Sequence, residues 1–463
     1  MYHPISRRRF ISQSGKLALG AGLTGSLLAA CGGQSAANGD VAGEVLIWIP
    51  VDSAEQRKYI QKSDGDGFND AHPGVTATIE FKPNSSGDRL IQTAVSAGRG
   101  PDLVFTSGVA TAMQYVKSNL FTDLTPYAEK YKWQDKLLGW AYDSGKVNGK
   151  LYSIPNSYET MIIHYNKTLF ESKGYKIPTN RSELEALCTE MQGQGIIPFT
   201  AGNADWRPST EWFVTVFLNH YAGPDAVYQA LSGKIHWTDP AFVEAIDLMN
   251  QYFQKGWFGG GVQKYFTNGS TAIASTIATG KAGMDMEGSW AFATWKENFG
   301  PDNGNNNDWD WFPVPPLHDN VPKELYTLAT GGTYSINAHS KSKDAAALYL
   351  DWLLSTPERV GKEVTEADLQ ALPVKLEDKD FPAKVDPRIK RLYLQLGAAT
   401  DQGNFGYTTW TFWPPKSDEY IYTGMDKVLT KNITPAQYCA ELDKIFQGEL
   451  SAGTVPPIIA RSK

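Results

Sequence analysis

Three short runs limit what this chain can fold into more than any other feature. "EVLIWIPV" (44–51) is continuously apolar, as a strand covered on both faces would be. "VTATIEF" (75–81) alternates Val75, Ala77, Ile79 and Phe81 with Thr76, Thr78 and Glu80, a strand with one wetter face. "PDLVFTSG" (101–108) is a third short strand that ends in small residues. Stretches of helical periodicity separate them, so the pattern predicts an α/β fold: a parallel or mixed sheet covered by helices. In open sheets of this kind ligands sit beyond the carboxyl ends of the strands. That marks Asp52 and Ser53 after the first strand, and Thr106, Ser107 and Gly108 after the third, as candidate binding positions.

Helices dominate further along. Asn180 with Glu183 forms a capping box before Leu184, Leu187, Cys188 and Met191 at helical spacing. Asp239-Pro240 opens another helix, with Phe242, Ile246, Met249 and Phe253 on one face. Residues 340–361 read as a helix followed by a second that starts at Thr356-Pro357, and Thr434-Pro435 opens a last one. The Asn-rich tract 301–310 reads as a surface loop, and no internal repeat is found. At 463 residues the chain is long enough for two domains.

The N-terminal stretch carries a separate message. Arg7, Arg8 and Arg9 form a positive head, Leu17 to Ala30 is an uncharged, weakly apolar run, and Cys31 follows. As a helix that run covers about 21 Å, short of the roughly 30 Å hydrocarbon core, which favours a targeting segment over a membrane span. Ser6 to Ile11 resembles the twin-arginine export signal, and Leu28-Ala29-Ala30-Cys31 resembles the bacterial lipobox. The resemblance implies a signal peptide over 1–30, lipidation of Cys31, and a flexible Gly-, Ala- and Ser-rich tether over 31–43. An exported protein anchored to the membrane by acyl chains is therefore expected. Of the three cysteines this leaves Cys188 and Cys439, expected as buried free thiols, with a bridge between them open.

Net charge over the whole chain is −7, and removal of the leader with its basic residues makes the remainder more acidic. Nucleic acid is thereby disfavoured as a partner. No nucleophile elbow, zincin motif, phosphate loop or Cys-x-x-Cys occurs, and the seven His are scattered. "SDGDGFND" (63–70) lacks the Glu a calcium loop needs at its twelfth position, where Val75 stands, and reads as a loosened helix end. No metal, cofactor or catalytic residue is expected.

What stands out is aromatic rings beside hydrogen-bonding side chains, among 14 Trp and 22 Tyr. "GNADWRPSTEW" (202–212) gathers Asn203, Asp205, Trp206, Arg207, Glu211 and Trp212; "MEGSW" (286–290) sets Glu287 and Trp290 around Gly288; "YTTWTFW" (407–413) offers Tyr407, Trp410 and Trp413. Such sets suit carbohydrate, whose apolar C–H face stacks on a ring while its hydroxyls meet carboxylates, amides and guanidinium groups. Core packing of individual rings is the competing explanation.

Three stretches then resemble a known family, the extracellular solute-binding proteins of sugar importers, which includes maltose-binding protein. They are "GKVNGKLYSIPNSYETMIIHYNKTLFESKGYKIPTNRSEL" (145–184), "TGKAGMDMEGSWA" (279–291) and "GGTYSINAHSKSKDAAALYLDWLLSTPE" (331–358), with Gly100-Pro101-Asp102 and the lipobox in the expected order. The resemblance implies a type II, two-lobe fold with crossing segments near 153–155, 312–318 and 355–360. The first lobe would take 44–153 and 318–355, and the second 154–317 and 356–463. It implies a monomer that captures a mono- or oligosaccharide between the lobes and delivers it to an ABC permease, with no chemistry of its own. Tyr158 and Glu159 lie where the family contacts sugar, Trp290 where relatives stack a ring, and Gly331 and Gly332 near a crossing. Asp285 and Glu287 depart from a stretch that is often Met-rich and apolar. The same scaffold could hold an iron complex, a polyamine through Glu159, Asp205 and Glu287, or a phosphorylated polyol through Arg207. A glycoside hydrolase with two facing carboxylates is a further alternative.

Overall fold

Strand β1, Gly43–Pro50, runs parallel to β2, Val75–Lys82, with Val45 beside Ala77 and Ile47 beside Ile79. The computed structural model describes residues 41–461 apart from Ser85, so the Arg head, the apolar run and Cys31 lie outside the described residues. Val45, Ile47 and Ile49 are buried, and so are Val75, Ala77 and Ile79. The coverage expected on both faces of β1 is complete on one only. Leu46 and Trp48 are half-buried, because the helix Gly87–Ser96 covers the other face in part and the Lys82 ammonium lies over the Trp48 ring, 4.0 Å from its centroid. Strand β3, Leu103–Thr106, joins the other edge of β1 in parallel.

Lys146–Val147 (β4) and Lys150–Leu151 (β5) make a two-stranded hairpin, after which β6, Ile154–Pro155, reaches the edge of the first sheet. The second sheet is built on β7, Glu159–Asn166, whose Met161, Ile162 and Ile163 are fully buried. β8 is Ile197–Thr200 and β9 Ala282–Gly288; β10 is Trp309–Phe312, β11 Tyr326–Ala329, β12 Thr333–Ile336 and β13 Phe405–Tyr407. One edge of β7 pairs antiparallel with β9; the other takes β11 at its start and β10 at its end. β8 adds to β9 and β13 to β11, both parallel. The first sheet thus has the order β2-β1-β3-β12-β6 and the second β13-β11-β7-β9-β8 with β10 alongside β7. This is the mixed α/β, two-lobe architecture that the strand pattern and the family resemblance imply.

The chain passes from the first sheet to the second at 156–158 and returns at 330–332, between β11 and β12. A third passage lies at 381–386, leading from the turn Asp378–Asp380, packed on the helix Pro357–Glu366, to the helix Pro387–Asp401 on β11. The second and third passages come later in the chain than the stretches 312–318 and 355–360 named above. Prolines mark bends, and those at 313, 315 and 316 bend the chain beyond β10, where the Leu317 N–H donates to the His220 carbonyl (2.8 Å). Thr356 caps a helix whose Arg359 pairs with Asp64 beside the first sheet.

Local signals are largely realised. The Asn180 side chain accepts the Glu183 N–H at 3.0 Å, while the Glu183 carboxylate closes on the Thr179 N–H at 2.7 Å rather than on the cap residue itself. Thr434 and Gln437 complete a reciprocal box at 3.2 and 2.9 Å. Phe242, Ile246, Met249 and Phe253 are all buried, as are Cys188 and Cys439, both free. The 63–70 stretch is no loosened end: Gln61–Asp66 is a widened π turn inside a continuous helical run, held by the buried Asp64–Arg359 pair. The Asn-rich tract is in part β10, and Asn303, Asn305 and Asn307 spend their amides on the carbonyls of Phe299, Asn298 and Ala278.

Candidate functional site

A cavity of about 510 Å³ lies between the two sheets. The carboxyl ends of β1 and β3 bring Ile49, Pro50, Val51, Phe105 and Ser107 to it, in keeping with the rule for open α/β sheets. The passage at 156–158 supplies Asn156 and Ser157, and β7 begins with Glu159 on its wall. Trp290 follows β9, Gly331 lies in the return passage, and Tyr334 stands on β12. Asp368, Leu369 and Gln370 close the rim.

Glycine is required at two of these points by close approach. A Cβ on Gly331 would lie 2.0 Å from Glu159 Oε1 and 2.4 Å from Ser157 Oγ. A Cβ on Gly288 would lie 2.1 Å from the Trp290 ring, which folds back over its own strand. The Trp290 ring is fixed from three sides: Trp212 at 5.1 Å and Trp410 at 5.8 Å between ring centroids, and a hydrogen bond from its Nε1 to Glu287 Oε1 at 2.9 Å. Phe105 and Tyr334 meet edge to face at 6.1 Å on the opposite wall.

The charged groups of the cavity lining are all acids. Glu159 is 7% exposed, and burial pushes its carboxyl up to about 8, opposed in part by the Gln370 amide. Asp64 and Glu363 share the Arg359 guanidinium, which lies 2.9 Å from Glu363 and closer still to Asp64; burial nevertheless raises both carboxyls. Asp88, exposed in the empty cleft, is raised by partial desolvation from the cavity walls, against a hydrogen bond from Ser107. Asp368 pairs with Lys296.

A second hollow of about 140 Å³ lies on the far side of the Trp212–Trp290 pair. Trp206, Trp212, Trp295, Asp205 and Glu287 line it, and Trp206 is 61% exposed at its mouth. Asp285, buried in β9 beside Glu287, is held well above the usual carboxylate range by burial and by that neighbouring acid. The two acids of this motif thus stand side by side behind Trp290, with Glu287 hydrogen-bonded to its ring.

Of the residues named from sequence, Ser107, Glu159 and Trp290 line the main cavity, and Gly332 backs it. Trp410 steadies Trp290 edge-on; Trp206 and Glu287 belong to the second hollow. Asp52 stands outside the lining: it accepts the Asn84 N–H at 3.3 Å and pairs with Arg57 at 3.6 Å. Tyr158 is fully buried between Trp140 and Tyr393, because neighbouring residues on extended chain point to opposite sides and Glu159 takes the cavity side. The Asn203 amide is buried on the Thr210 hydroxyl at 3.2 Å, a structural bond. Trp413 is core, packed on Trp237 at 5.2 Å. Arg207 pairs with Asp426 at 2.7 Å and does not line the cavity. Phe105, Asn156, Tyr334 and Gln370 were not singled out from sequence. Phe105 lies in the third strand before Ser107, and Asn156 and Tyr334 lie inside the family-like stretches 145–184 and 331–358; Gln370 lies in none of these.

No three or more His, Cys, Asp and Glu side chains among the described residues are grouped to hold a metal ion. Nor is any described helix long and apolar enough to cross a membrane.

Residues 52–360 match the family model described as bacterial extracellular solute-binding protein. The erythritol/L-threitol-binding protein of Mycolicibacterium smegmatis is 21% identical over 328 residues, 65% of each chain. The multiple sugar-binding protein of Streptococcus mutans is 28% identical over 187 residues, 40% of this chain and 43% of that one. The match thus spans just under two thirds of the first relative's length and under half of the second's. Among solved structures, a chitin oligosaccharide binding protein superposes with a TM-score of 0.72 at 18% identity, covering 88% of this chain and 100% of the other. The GacH receptor of Streptomyces glaucescens superposes with 0.68 at 20%, covering 89% and 99%. At such identities the likeness to these structures is one of fold.

Proposed function

Since the chain belongs to the bacterial extracellular solute-binding protein family, we propose that it is the substrate-binding component of an ABC importer that captures a carbohydrate or polyol between its two lobes. The observation that carries this reading is the cavity itself, with Trp290 on one wall, Phe105 and Tyr334 on the other, and amide, hydroxyl and carboxyl groups between them. Each lobe owns half a site. Phe105, Ser107 and Tyr334 come with the first sheet; Glu159 and Trp290 come with the second. A ligand seated on one half makes its remaining contacts only when the lobes approach, so binding favours the closed form. The permease then takes the closed form and releases the ligand, which leaves chemically unaltered. Export through the twin-arginine route and a lipid anchor on Cys31 complete the picture, with the protein monomeric at the outer face of the cell membrane. A phosphorylated ligand is disfavoured, since Arg207 is occupied by Asp426.

The relatives' names, for erythritol or threitol and for multiple sugars, define a starting panel of short polyols, mono- and oligosaccharides. Thermal-shift screening against that panel should give at least one hit. Trp290→Ala should then weaken that ligand at least tenfold by titration calorimetry while the melting curve stays cooperative, since ring stacking contributes about 1–3 kcal/mol. Unchanged affinity would remove Trp290 from the site; a panel without hits would remove carbohydrate from the function.

A further inference from the structure

We propose that the ligand of this cleft carries a basic amine on its polyol skeleton, an amino sugar or aminated polyol whose ammonium group pairs with Glu159, with Asp88 adding negative charge to the same lining. This rests on the carbohydrate reading and narrows it.

The argument begins with charge. Five carboxyl groups line the main cavity (Asp64, Asp88, Glu159, Glu363 and Asp368), and among the described residues no Lys or Arg does. Three of the five are answered from behind: Arg359 serves Asp64 and Glu363, and Lys296 serves Asp368. Among the described residues Glu159 and Asp88 have no ion-pair partner. Glu159 is also more than nine-tenths buried, with its carboxyl on the cavity wall. An ionised carboxylate is costly there without a counter-charge, so the group stays protonated unless the ligand supplies one.

A neutral hydroxyl gives a carboxylate one ordinary hydrogen bond. An ammonium gives three donors and the opposite charge, and such charge-assisted bonds are roughly twice as strong. Closure removes the remaining water around Glu159, so the difference between the two ligand types grows as the lobes meet. The rings agree with this: Trp290, Phe105 and Tyr334 present π faces and edges around the same space, and π faces attract cations. The groups facing Glu159 are the Gln370 amide and the Ser157 and Tyr393 hydroxyls, all uncharged. With its carboxyl near 8 in the empty cleft, Glu159 holds its proton close to neutral pH and yields it to solvent when an ammonium arrives. The neutral groups Gln56, Asn84, Asn156 and Ser107 remain on the lining for hydroxyls. That separates an aminated polyol from a bare polyamine, which would leave them unanswered.

The test uses matched pairs that differ by an amine for a hydroxyl: glucosamine against glucose, and chitosan disaccharide against cellobiose, with putrescine as a third arm. Titration calorimetry on the purified protein should show the amine member binding at least tenfold tighter in one pair. That advantage should fall below threefold in Glu159→Gln. Asp88→Asn, nearer solvent, supplies a second variant with the same expected direction should Glu159→Gln fold poorly. A neutral member that binds as tightly as its amine partner overturns the amine inference and leaves the carbohydrate reading intact. Putrescine binding with no hit in either pair or in the polyol and sugar panel overturns the two together, and silence toward both pairs while the panel gives a neutral hit overturns the amine inference alone.

Discussion

Tyr158 and Glu159 are neighbours in sequence and opposites in environment. Both were candidates on the same motif, yet one is packed between Trp140 and Tyr393 and the other faces the cavity. A sequence places two adjacent residues on opposite sides of extended chain; it does not state which side faces the ligand. That depends on how the second sheet sits against the first. The same holds for Asn203 and Trp206, close in sequence, of which one satisfies Thr210 in the interior and the other stands exposed. Glu159 carries a prediction of its own. Its carboxyl rises from an ordinary 4.5 to about 8 through burial. The unfolded chain therefore releases this proton at lower pH than the folded one. Its contribution to stability is complete below about pH 4.5 and is lost as pH rises through 8. Glu159→Gln has no such loss, so the variant should gain on the parent from pH 4.5 to 8 by an amount on the order of a few kcal/mol. Urea unfolding at three pH values across that window measures it, and parallel stability profiles for the two proteins would refute the assignment.

Elements show a different division between what is and is not legible. Helix starts are written locally: Asn180, Asp239, Thr356 and Thr434 all accept the N–H bonds their positions imply, because a cap needs only the next three residues. Passages between sheets are not local. The return at 330–332 carries no proline and is recognisable only from its pairing, β11 to β7 on one side and β12 to β3 on the other. Its Gly331-Gly332 pair is the trace it leaves in the sequence, and the structure explains that trace by space. Gly331→Ala would press a methyl group onto the Glu159 carboxyl and the Ser157 hydroxyl. We expect it to cost about 1–3 kcal/mol of stability and to weaken ligand binding together with it. The control is Gly397→Ala in the helix Pro387–Asp401, where an added Cβ meets nothing within 4 Å. That change should stabilise by about 0.5–1 kcal/mol and leave affinity alone. Chemical denaturation and calorimetry on the two variants decide the matter, and equal effects would mean that the passage tolerates a side chain.

For the whole molecule, alternating strands and helices made the α/β class legible, while the cleft lining was not. Phe105 and Tyr334, paired within the first sheet, share a site with Glu159 and Trp290 of the second only because three passages hold the two sheets together, a relation between segments far apart in the sequence. One continuous apolar cluster reaches from Val45 and Ile47 of the first sheet to Met161, Ile162 and Ile163 of the second. Two lobes with separate cores would unfold separately; lobes that share a core and three covalent passages lose both together. Scanning calorimetry on the empty protein should therefore give one transition. A ligand that bridges the lobes adds to the stability of that single unit by mass action, about 2.7 kcal/mol at a hundred times its dissociation constant. The whole endotherm should move upward without splitting. Trp290→Ala should reduce the shift at fixed ligand concentration and leave the single transition in place. Two transitions, with only one responsive to ligand, would mean that the site belongs to one lobe and that bridging is not how this protein holds its cargo.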